Sequence, residues 1–239
     1  MTGDEGALAI SEVVKHSPLL EDFRCSSTRV DSGGIALSNA LETCSHLKKL
    51  DLRDNVFGAE AGVGLSKSLF KLANLVGLYL SYLNLEDEGA IAIANALKES
   101  APSLEVLEMA GNNITGDAAP ALAACIASKQ HLTKLNLSEN ELKGEGATQI
   151  GKALEGLAQL KEVDMSNNSM RRAGARQRNI QEIPDILGPL DENDPEGGDE
   201  NDPEGGDDGE ESGEGQGEGV ANGDDLESKL KNLEVSQDD

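Results

Sequence analysis

The sequence is poor in aromatic residues and in cysteine, and it has no tryptophan. Two tyrosines and three phenylalanines occur in 239 residues, so the composition favours a core of thin aliphatic layers over one built on large aromatic side chains. The three cysteines, Cys25, Cys44 and Cys125, lie far apart and form no CxxC pair. This odd count argues against a metal or catalytic role and predicts small buried thiols in a reducing compartment.

Long apolar runs and enzyme motifs are absent as well. No stretch approaches membrane length, and the first residues lack a basic segment followed by an apolar one, so we expect a soluble, intracellular protein without membrane insertion. The chain has no Gly-rich loop ending in Lys-Ser/Thr, no metal-ligand spacing and no GxSxG. The histidines occur in "KHSPLL", "SHLKKL" and "QHLTKL", just before strand-like segments. We therefore predict no catalytic residue, no metal and no cofactor.

Negative charge dominates, and it is concentrated at one end. The chain has 45 acidic and 20 basic residues, and residues 191–239 hold 20 of the acidic ones but two of the basic ones. This segment includes the duplication "DENDPEGGDENDPEGG" and almost no apolar side chains, which predicts a disordered acidic tail. Such a tail either solubilises the chain or steers basic protein partners, and phosphate repulsion argues against direct nucleic-acid binding.

The rest of the chain is an internal repeat. "LKKLDLRDN", "LEVLEMAGN", "LTKLNLSEN" and "LKEVDMSNN" share one pattern, with weaker copies in "LEDFRCSST" and "LVGLYLSYL". The copies start at residues 20, 47, 75, 104, 132 and 160, a period of about 28 residues. This is the leucine-rich repeat, LxxLxLxxN.

The period and the alternation predict an α/β solenoid of the ribonuclease-inhibitor-like kind. The fourth and sixth positions point inward from a short parallel strand, and the ladder Asn at the ninth satisfies backbone groups of the turn. A 28-residue repeat leaves room for a full helix, so strands line a concave face and helices the convex one. Two copies carry Thr28 and Leu83 in place of the Asn. Threonine can still bond the turn, whereas at Leu83 we expect local irregularity.

These features divide the chain into a leucine-rich-repeat domain, residues 1–190, and a tail, residues 191–239. A terminal capping helix is predicted at about 171–188, and "DDLESKLKNLEV" predicts a short helix at 225–235 that is either a docking helix or residual helicity. The cluster Arg171, Arg172, Arg176 and Arg178 fits the polar face of that capping helix, or alternatively a localisation signal or a nucleic-acid patch. Met1 falls inside a repeat, so we expect an incomplete N-terminus, from a partial gene model or an alternative start.

A binding surface is easier to derive than a catalytic site. If the fourth and sixth positions face inward, the third, fifth and seventh line the concave face. The layer of Asp51 and Arg53 is the most charged, and Tyr79, in the following layer, is the only aromatic residue predicted on this face. Either these charges are ion pairs on a solvated sheet, or they form a polar docking surface for a protein. The candidate partner-binding residues are Arg24, Lys49, Asp51, Arg53, Tyr79 and Glu108.

The repeats "LKKLDLRDNVFGAEAG" and "LSENELKGEGA", together with the acidic tail, resemble the C-terminal part of Ran GTPase-activating proteins, most closely the plant form. The likeness extends from Met1 to about Leu190. It implies a regulator that is not itself the hydrolase: it docks on Ran-GTP in the cytoplasm, at the nuclear envelope in the full-length protein, and accelerates Ran's own GTP hydrolysis during nucleocytoplasmic transport.

The resemblance also limits what this chain is expected to do. Family members are understood to order Ran's catalytic glutamine with an activator Asn from an early repeat, and no position here aligns with that Asn. We therefore expect a fragment that docks Ran without the activating residue. Two alternatives remain open: a non-catalytic acidic leucine-rich protein such as a histone chaperone, whose repeats are shorter, and an inhibitor-like binding scaffold.

Overall fold

The computed structural model describes residues 3–31 and 33–170, and in this range strands and helices alternate. The strands are β1 (Asp22–Arg24), β2 (Lys49–Asp51), β3 (Gly77–Tyr79), β4 (Val106–Glu108), β5 (Lys134–Asn136) and β6 (Glu162–Asp164). The helices are α1 (Gly3–Lys15), α2 (Gly33–Leu41), α3 (Gly58–Leu69), α4 (Glu86–Glu99), α5 (Ala119–Ser128) and α6 (Lys143–Leu154), with a 3-10 turn at Gly116–Ala118 before α5. The predicted capping helix, the Arg171–Arg178 cluster, the acidic tail and the 225–235 helix lie outside the described residues.

The six strands form one parallel sheet in chain order, β1 to β6. Each strand pairs with the next in the same register, so equivalent repeat positions form continuous rows across the sheet. One helix follows each of the first five strands, as a right-handed crossover between parallel strands requires. The predicted leucine-rich-repeat solenoid is thereby confirmed.

The core consists of the inward-facing strand positions and one stripe of each helix. Leu50, Leu78, Leu107 and Leu135 form the row of fourth positions, and all four are fully buried. The corresponding residue of the first strand, Phe23, is only half-buried. Each layer is thus filled by aliphatic side chains from two neighbouring repeats, as the scarcity of aromatic residues predicted.

The ladder asparagines tie successive repeats together. The Oδ1 of Asn140 accepts hydrogen bonds from the backbone N–H groups of Asn112 (3.0 Å) and Ile114 (3.1 Å) in the preceding repeat. Its Nδ2 donates to the carbonyls of Met109 (3.1 Å) and Leu137 (2.9 Å). One buried amide therefore satisfies donors and acceptors of two turns, which is why the pattern demands Asn rather than an apolar residue.

The two departures from Asn behave differently from one another. Thr28 Oγ1 is within hydrogen-bond distance of Cys25 O in its own turn, at 3.5 Å, as predicted, and lies closer to Asn55 Oδ1 of the next repeat, at 2.9 Å. The irregularity expected at Leu83 was wrong, because Tyr82 has the left-handed φ of 59° that the other repeats also show before the ninth position. Leu83 is fully buried, and its carbonyl accepts from Gly58 N at 3.0 Å. The N–H groups of Leu83 and Asn112 donate to the Asn amide oxygen of the next repeat, whereas the matching Asn55 N donates to Tyr82 O at 3.2 Å. This backbone acceptor replaces the missing side-chain amide.

The helices approach one another most closely where small residues face each other. A Cβ on Gly62 of α3 would lie 3.0 Å from the Cα of Gly89 in α4. Backbone therefore rests on backbone at this crossing, and a larger residue would push the two helices apart. The spacing of the helix layer is fixed here by glycine, which the "GAEAG" and "EDEGA" copies carry.

Candidate functional site

The register brings the predicted concave residues into adjacent rows. Arg24, Asp51, Tyr79 and Glu108 are aligned with one another across β1 to β4. Lys49 lies in the neighbouring row, level with Asp22 and Gly77. Arg53, two residues beyond Asp51, completes the group. The structure therefore places all six candidate residues on one face, and we refer to them with Asp22 and Lys134 as the concave cluster.

Asp51, the last residue of β2, and Arg53, two residues later, form a two-point ion pair. Arg53 Nε donates to Asp51 Oδ1 at 3.0 Å, and Nη2 donates to Oδ2 at 2.7 Å. Burial by itself raises the pKa of Asp51, but the hydrogen bonds from the side chain and backbone of Arg53 outweigh it and lower that pKa. Asp51 is 7% exposed, whereas the Arg53 side chain is 42% exposed. The carboxylate thus holds a guanidinium that faces solvent.

Arg53, which follows β2, also contacts Glu108 of β4. Its Nη1 donates to Glu108 Oε2 at 3.3 Å, although β3 lies between the two strands. The other oxygen of Glu108 faces Lys134 Nζ at 3.4 Å, and Lys134 in turn contacts Glu162 at 2.9 Å. Charges of opposite sign therefore alternate across the sheet from β2 to β6, which fixes long side chains that would otherwise be free to rotate.

The Tyr79 ring packs against the Arg53 guanidinium. The Cζ of Arg53 is 5.1 Å from the centre of the Tyr79 ring, a cation–π distance. The ring also lies over Gly77 of the same strand, because a Cβ at Gly77 would come 3.0 Å from Tyr79 Cε2. The glycine thus gives the ring room to lie against the sheet. The hydroxyl makes no hydrogen bond with any residue in 3–31 or 33–170.

The first strand repeats the same ion-pair motif in a more exposed form. Arg24 Nε and Nη2 donate to the two oxygens of Asp22 at 3.1 and 3.0 Å. The hydrogen bond from Arg24 lowers the pKa of Asp22. A small cavity of about 150 Å³ opens between the two ion pairs. It is lined by Asp22, Arg24, Lys49, Asp51, Arg53 and Tyr79.

Sequence reasoning missed one contact at the rim of the sheet. Tyr82 OH donates to Glu139 Oε1 at 2.7 Å, two repeats away, and this hydrogen bond raises the pKa of Tyr82. The ring passes directly over Gly111, where a Cβ would lie 2.3 Å from it. An aromatic residue at the eighth position followed by glycine in the next copy is the signal that was available for this contact.

Outside the concave cluster, the described residues form a second cavity. A larger cavity of about 680 Å³ lies between the 3-10 turn and the start of α6, away from the concave cluster, and its lining includes Asp117, Lys143 and Glu145. Residues 3–31 and 33–170 contain no grouping of His, Cys, Asp and Glu able to hold a metal ion. In the same part of the chain, every helix is too short or too polar to span a membrane.

Comparison with known proteins supports both the repeat and the resemblance. The family described as Leucine Rich repeat matches residues 43–66, 100–123 and 128–151. "RAN GTPase-activating protein 2" of Arabidopsis thaliana is 58% identical in an alignment of 190 residues that covers 66% of this chain and 34% of that protein. "RAN GTPase-activating protein 1" of the same plant is 66% identical over 47 residues, which cover 20% of this chain and 9% of the relative.

The chain therefore spans about a third of the length of the first of these relatives. The resemblance to plant Ran GTPase-activating proteins, predicted from the repeats, is confirmed. The comparisons do not identify which residues contact a partner, so the six concave residues stay a prediction, now with defined geometry.

Proposed function

We propose, on the basis of this similarity to Ran GTPase-activating proteins, that the chain binds the small GTPase Ran and belongs to an activator of Ran's GTP hydrolysis. The single observation that carries the proposal is the 58% identity to a relative of that name. Identity at this level over several repeats indicates the same repeat architecture and therefore the same concave face. A protein that binds the concave face of the relative should therefore also bind the concave face of this chain.

The concave cluster is the proposed docking surface. Its charged groups are held by neighbours, as in the Asp51–Arg53 ion pair at 2.7 Å and the Arg53–Glu108 contact at 3.3 Å. Side chains that are already ordered lose less conformational entropy when a partner binds. The cluster also presents both signs of charge, which favours specificity for a partner with a complementary pattern.

The proposed role is regulatory and contributes no hydrolytic residue. No grouping suited to metal binding occurs in residues 3–31 and 33–170, and the nucleotide with its magnesium would belong to Ran. None of this chain's residues aligns with the activator Asn that the resemblance implies. We therefore propose docking as the main activity of this chain, at the cytoplasmic location that the resemblance implies.

The first experiment measures binding and hydrolysis side by side. Ran loaded with a non-hydrolysable GTP analogue or with GDP is titrated with the full chain, and single-turnover GTP hydrolysis by Ran is followed with and without it. Binding selective for the GTP form, without acceleration, is the expected result. Acceleration would contradict the absence of the activating residue, and absence of binding would overturn the proposal. A parallel titration with core histones tests the histone-chaperone alternative.

A matched pair of variants locates the surface. Arg53→Ala removes the guanidinium that contacts Asp51, Glu108 and Tyr79, and we expect Ran binding to weaken by about tenfold or more. Lys71→Ala serves as the control, because Lys71 makes a surface ion pair with Glu42 at 2.5 Å in the loop after α3. Both variants lose one positive charge, so an equal effect would mean that the chain's net charge, and not the concave cluster, governs binding.

A further inference from the structure

The small cavity of the concave cluster is lined by two polar side chains that make no side-chain hydrogen bond or ion pair with the described residues. Lys49 is exposed on β2, and its Nζ makes no ion pair or hydrogen bond with residues 3–31 or 33–170. The Tyr79 hydroxyl is equally free of hydrogen bonds to that part of the chain. Both side chains line the same cavity. Hence one cationic side chain and one hydroxyl-bearing side chain border a common space.

The acidic groups of the same cavity are already neutralised. Arg24 holds both oxygens of Asp22, at 3.0 and 3.1 Å. Arg53 holds both oxygens of Asp51, at 2.7 and 3.0 Å. The lining therefore has three positive and two negative side chains, and the uncompensated charge is that of Lys49. A cation offered to the cavity would meet carboxylates whose oxygens are occupied, whereas an anion would meet free donors.

We infer that this cavity is a carboxylate-recognition pocket, in which Lys49 Nζ and the Tyr79 hydroxyl bind an aspartate or glutamate side chain of the protein partner. The inference rests on the proposed docking of Ran through the concave face and names the kind of group that the partner inserts. The occupant is an acidic side chain of a folded protein, because the pocket lies on a sheet of six strands suited to a broad protein contact.

The size and surroundings of the pocket support this occupant. A volume of about 150 Å³ lies below the range of roughly 300–1,000 Å³ typical of small-molecule sites, so it suits a single side chain. The Arg53 guanidinium above the Tyr79 ring, 5.1 Å from its centre, is held in place from β2 and β4. The walls of the pocket are thus ordered before the partner arrives, which lowers the entropic cost of binding.

Lys49 has a neighbouring lysine that makes a close control. Lys48 precedes it in the chain, but its Nζ donates to Glu21 at 2.8 Å, outside the pocket lining. Lys48→Gln and Lys49→Gln therefore make the same change in charge and length at adjacent positions. Tyr79→Phe removes the hydroxyl alone and leaves the ring beside Gly77 and Arg53 in place.

The experiment measures the affinity of these full-length variants for Ran loaded with a non-hydrolysable GTP analogue. Lys49→Gln is expected to weaken binding about tenfold and Tyr79→Phe about threefold, whereas Lys48→Gln stays within about twofold of the unsubstituted chain. Each acidic surface residue of Ran is then changed to Lys and tested against Lys49→Glu. Recovery of affinity in one such pair identifies the inserted carboxylate.

Two failures are distinguishable. If the unsubstituted chain binds Ran and Lys49→Gln binds equally well, the pocket is wrong and the proposed function survives. If the unsubstituted chain does not bind Ran, the proposed function fails, and the pocket is tested by an NMR titration with N-acetyl-glutamate amide. Shifts at Lys49 and Tyr79 that vanish in Lys49→Gln would support a carboxylate pocket for another partner, and their absence would overturn it.

Discussion

Lys129 Nζ donates a hydrogen bond to the backbone carbonyl of Ser100 at 2.7 Å, from a side chain that is 2% exposed. The same ammonium also donates to the carbonyl of Leu97. Both carbonyls lie at the end of α4, where helix geometry leaves several acceptors short of donors; Leu97 O also accepts from Ser100 N at 3.1 Å. Cys44 makes the equivalent contacts with Val14 and Ser17 at the end of α1. A buried lysine thus caps the preceding helix in this solenoid.

The first prediction concerns this cap. Lys129→Met keeps the length and packing of the side chain but removes the donor, so the carbonyl of Ser100 loses its partner, whereas that of Leu97 keeps the backbone donor Ser100 N. We expect the free energy of unfolding to fall by about 1–3 kcal/mol in urea denaturation. Lys98→Met is the control, because Lys98 is exposed and pairs only loosely with Glu99 at 3.9 Å. A Lys129→Met chain as stable as the unsubstituted one would show that the cap contributes nothing.

The second prediction follows from the buried thiol of Cys125. Burial raises its pKa from 9.0 to about 11. The unfolded chain therefore releases this proton near pH 9 while the folded chain keeps it, so the free energy of unfolding must decrease as the pH rises from about 9 to about 11. The loss attributable to this group is about 2–3 kcal/mol.

Urea denaturation at several pH values across that window measures the effect in the unsubstituted chain and in Cys125→Ala. A difference in the free energy of unfolding that is the same at every pH reflects the side-chain volume lost in Cys125→Ala. Only the part of the difference that changes with pH reflects the titration of the thiol. Parallel stability curves for the two chains would contradict a thiol that stays protonated in the fold.

The third prediction concerns the ladder amide of Asn140. Asn140→Ala leaves the N–H groups of Asn112 and Ile114 and the carbonyl of Met109 without their partner, whereas Leu137 O keeps its bond from Asn168 Nδ2. We expect a loss of about 3–5 kcal/mol, because each unsatisfied buried group costs about 1 kcal/mol or more. Asn74→Ala should cost less than about 1 kcal/mol, since exposed Asn74 makes one bond, to Ser45 O at 2.9 Å. Thermal unfolding measures the melting temperature of both variants. Similar melting temperatures would show that the Asn140 amide does not stabilise the fold.

The fourth prediction separates backbone strain from side-chain crowding. Gly58 (φ 70°) and Gly111 (φ 61°) are both left-handed, but a Cβ at Gly58 meets nothing within 4 Å whereas one at Gly111 lies 2.3 Å from the Tyr82 ring. Gly58→Ala should cost about 1 kcal/mol from φ alone, and Gly111→Ala about 2–3 kcal/mol. Adding Tyr82→Ala to Gly111→Ala should remove the excess attributable to crowding. Equal costs in the two single variants would mean that the Tyr82 ring moves aside freely.

The fifth prediction concerns the first helix. Ile10 of α1 is half-buried, whereas Ile93 at the matching position of α4 is fully buried, and Leu8 and Val13 are 54% and 67% exposed. With less apolar surface removed from water, α1 should open locally more often than α4. Hydrogen exchange followed by mass spectrometry should show faster exchange in Gly3–Lys15 than in Glu86–Glu99. Equal protection of these two helices would be inconsistent with this account.

Much of the fold could be predicted because its signal is local and repeated. The alternation within LxxLxLxxN predicted strands whose rows of equivalent positions coincide with the observed register, from Asp22 opposite Lys49 to Asn136 opposite Asp164. The Asn ladder was predicted from the same nine residues. The error at Leu83 arose because a backbone acceptor can replace the missing amide oxygen, as Tyr82 O does for Asn55 N at 3.2 Å.

The candidate site was predictable as a surface but not as a set of contacts. Position in the repeat was enough to place Arg24, Lys49 and Tyr79 on one face. It could not show that Arg53 spans β3 to reach Glu108, because a long flexible side chain has several partners within reach. Lys129 was missed for a related reason, since the matching positions hold Leu72 and Leu157, which gave no indication of a buried cation.

The sequence by itself determined the repeat length, the strand rows, the inward leucines and the face on which charges would gather. These follow from side-chain alternation along a strand and from the burial of apolar groups, which depend on neighbours close in the chain. Only the tertiary structure decided which charges pair and which are left over. Whether Lys49 stays unpaired while Lys48 meets Glu21 depends on side chains brought close by neighbouring strands and loops, and no local pattern encodes that choice.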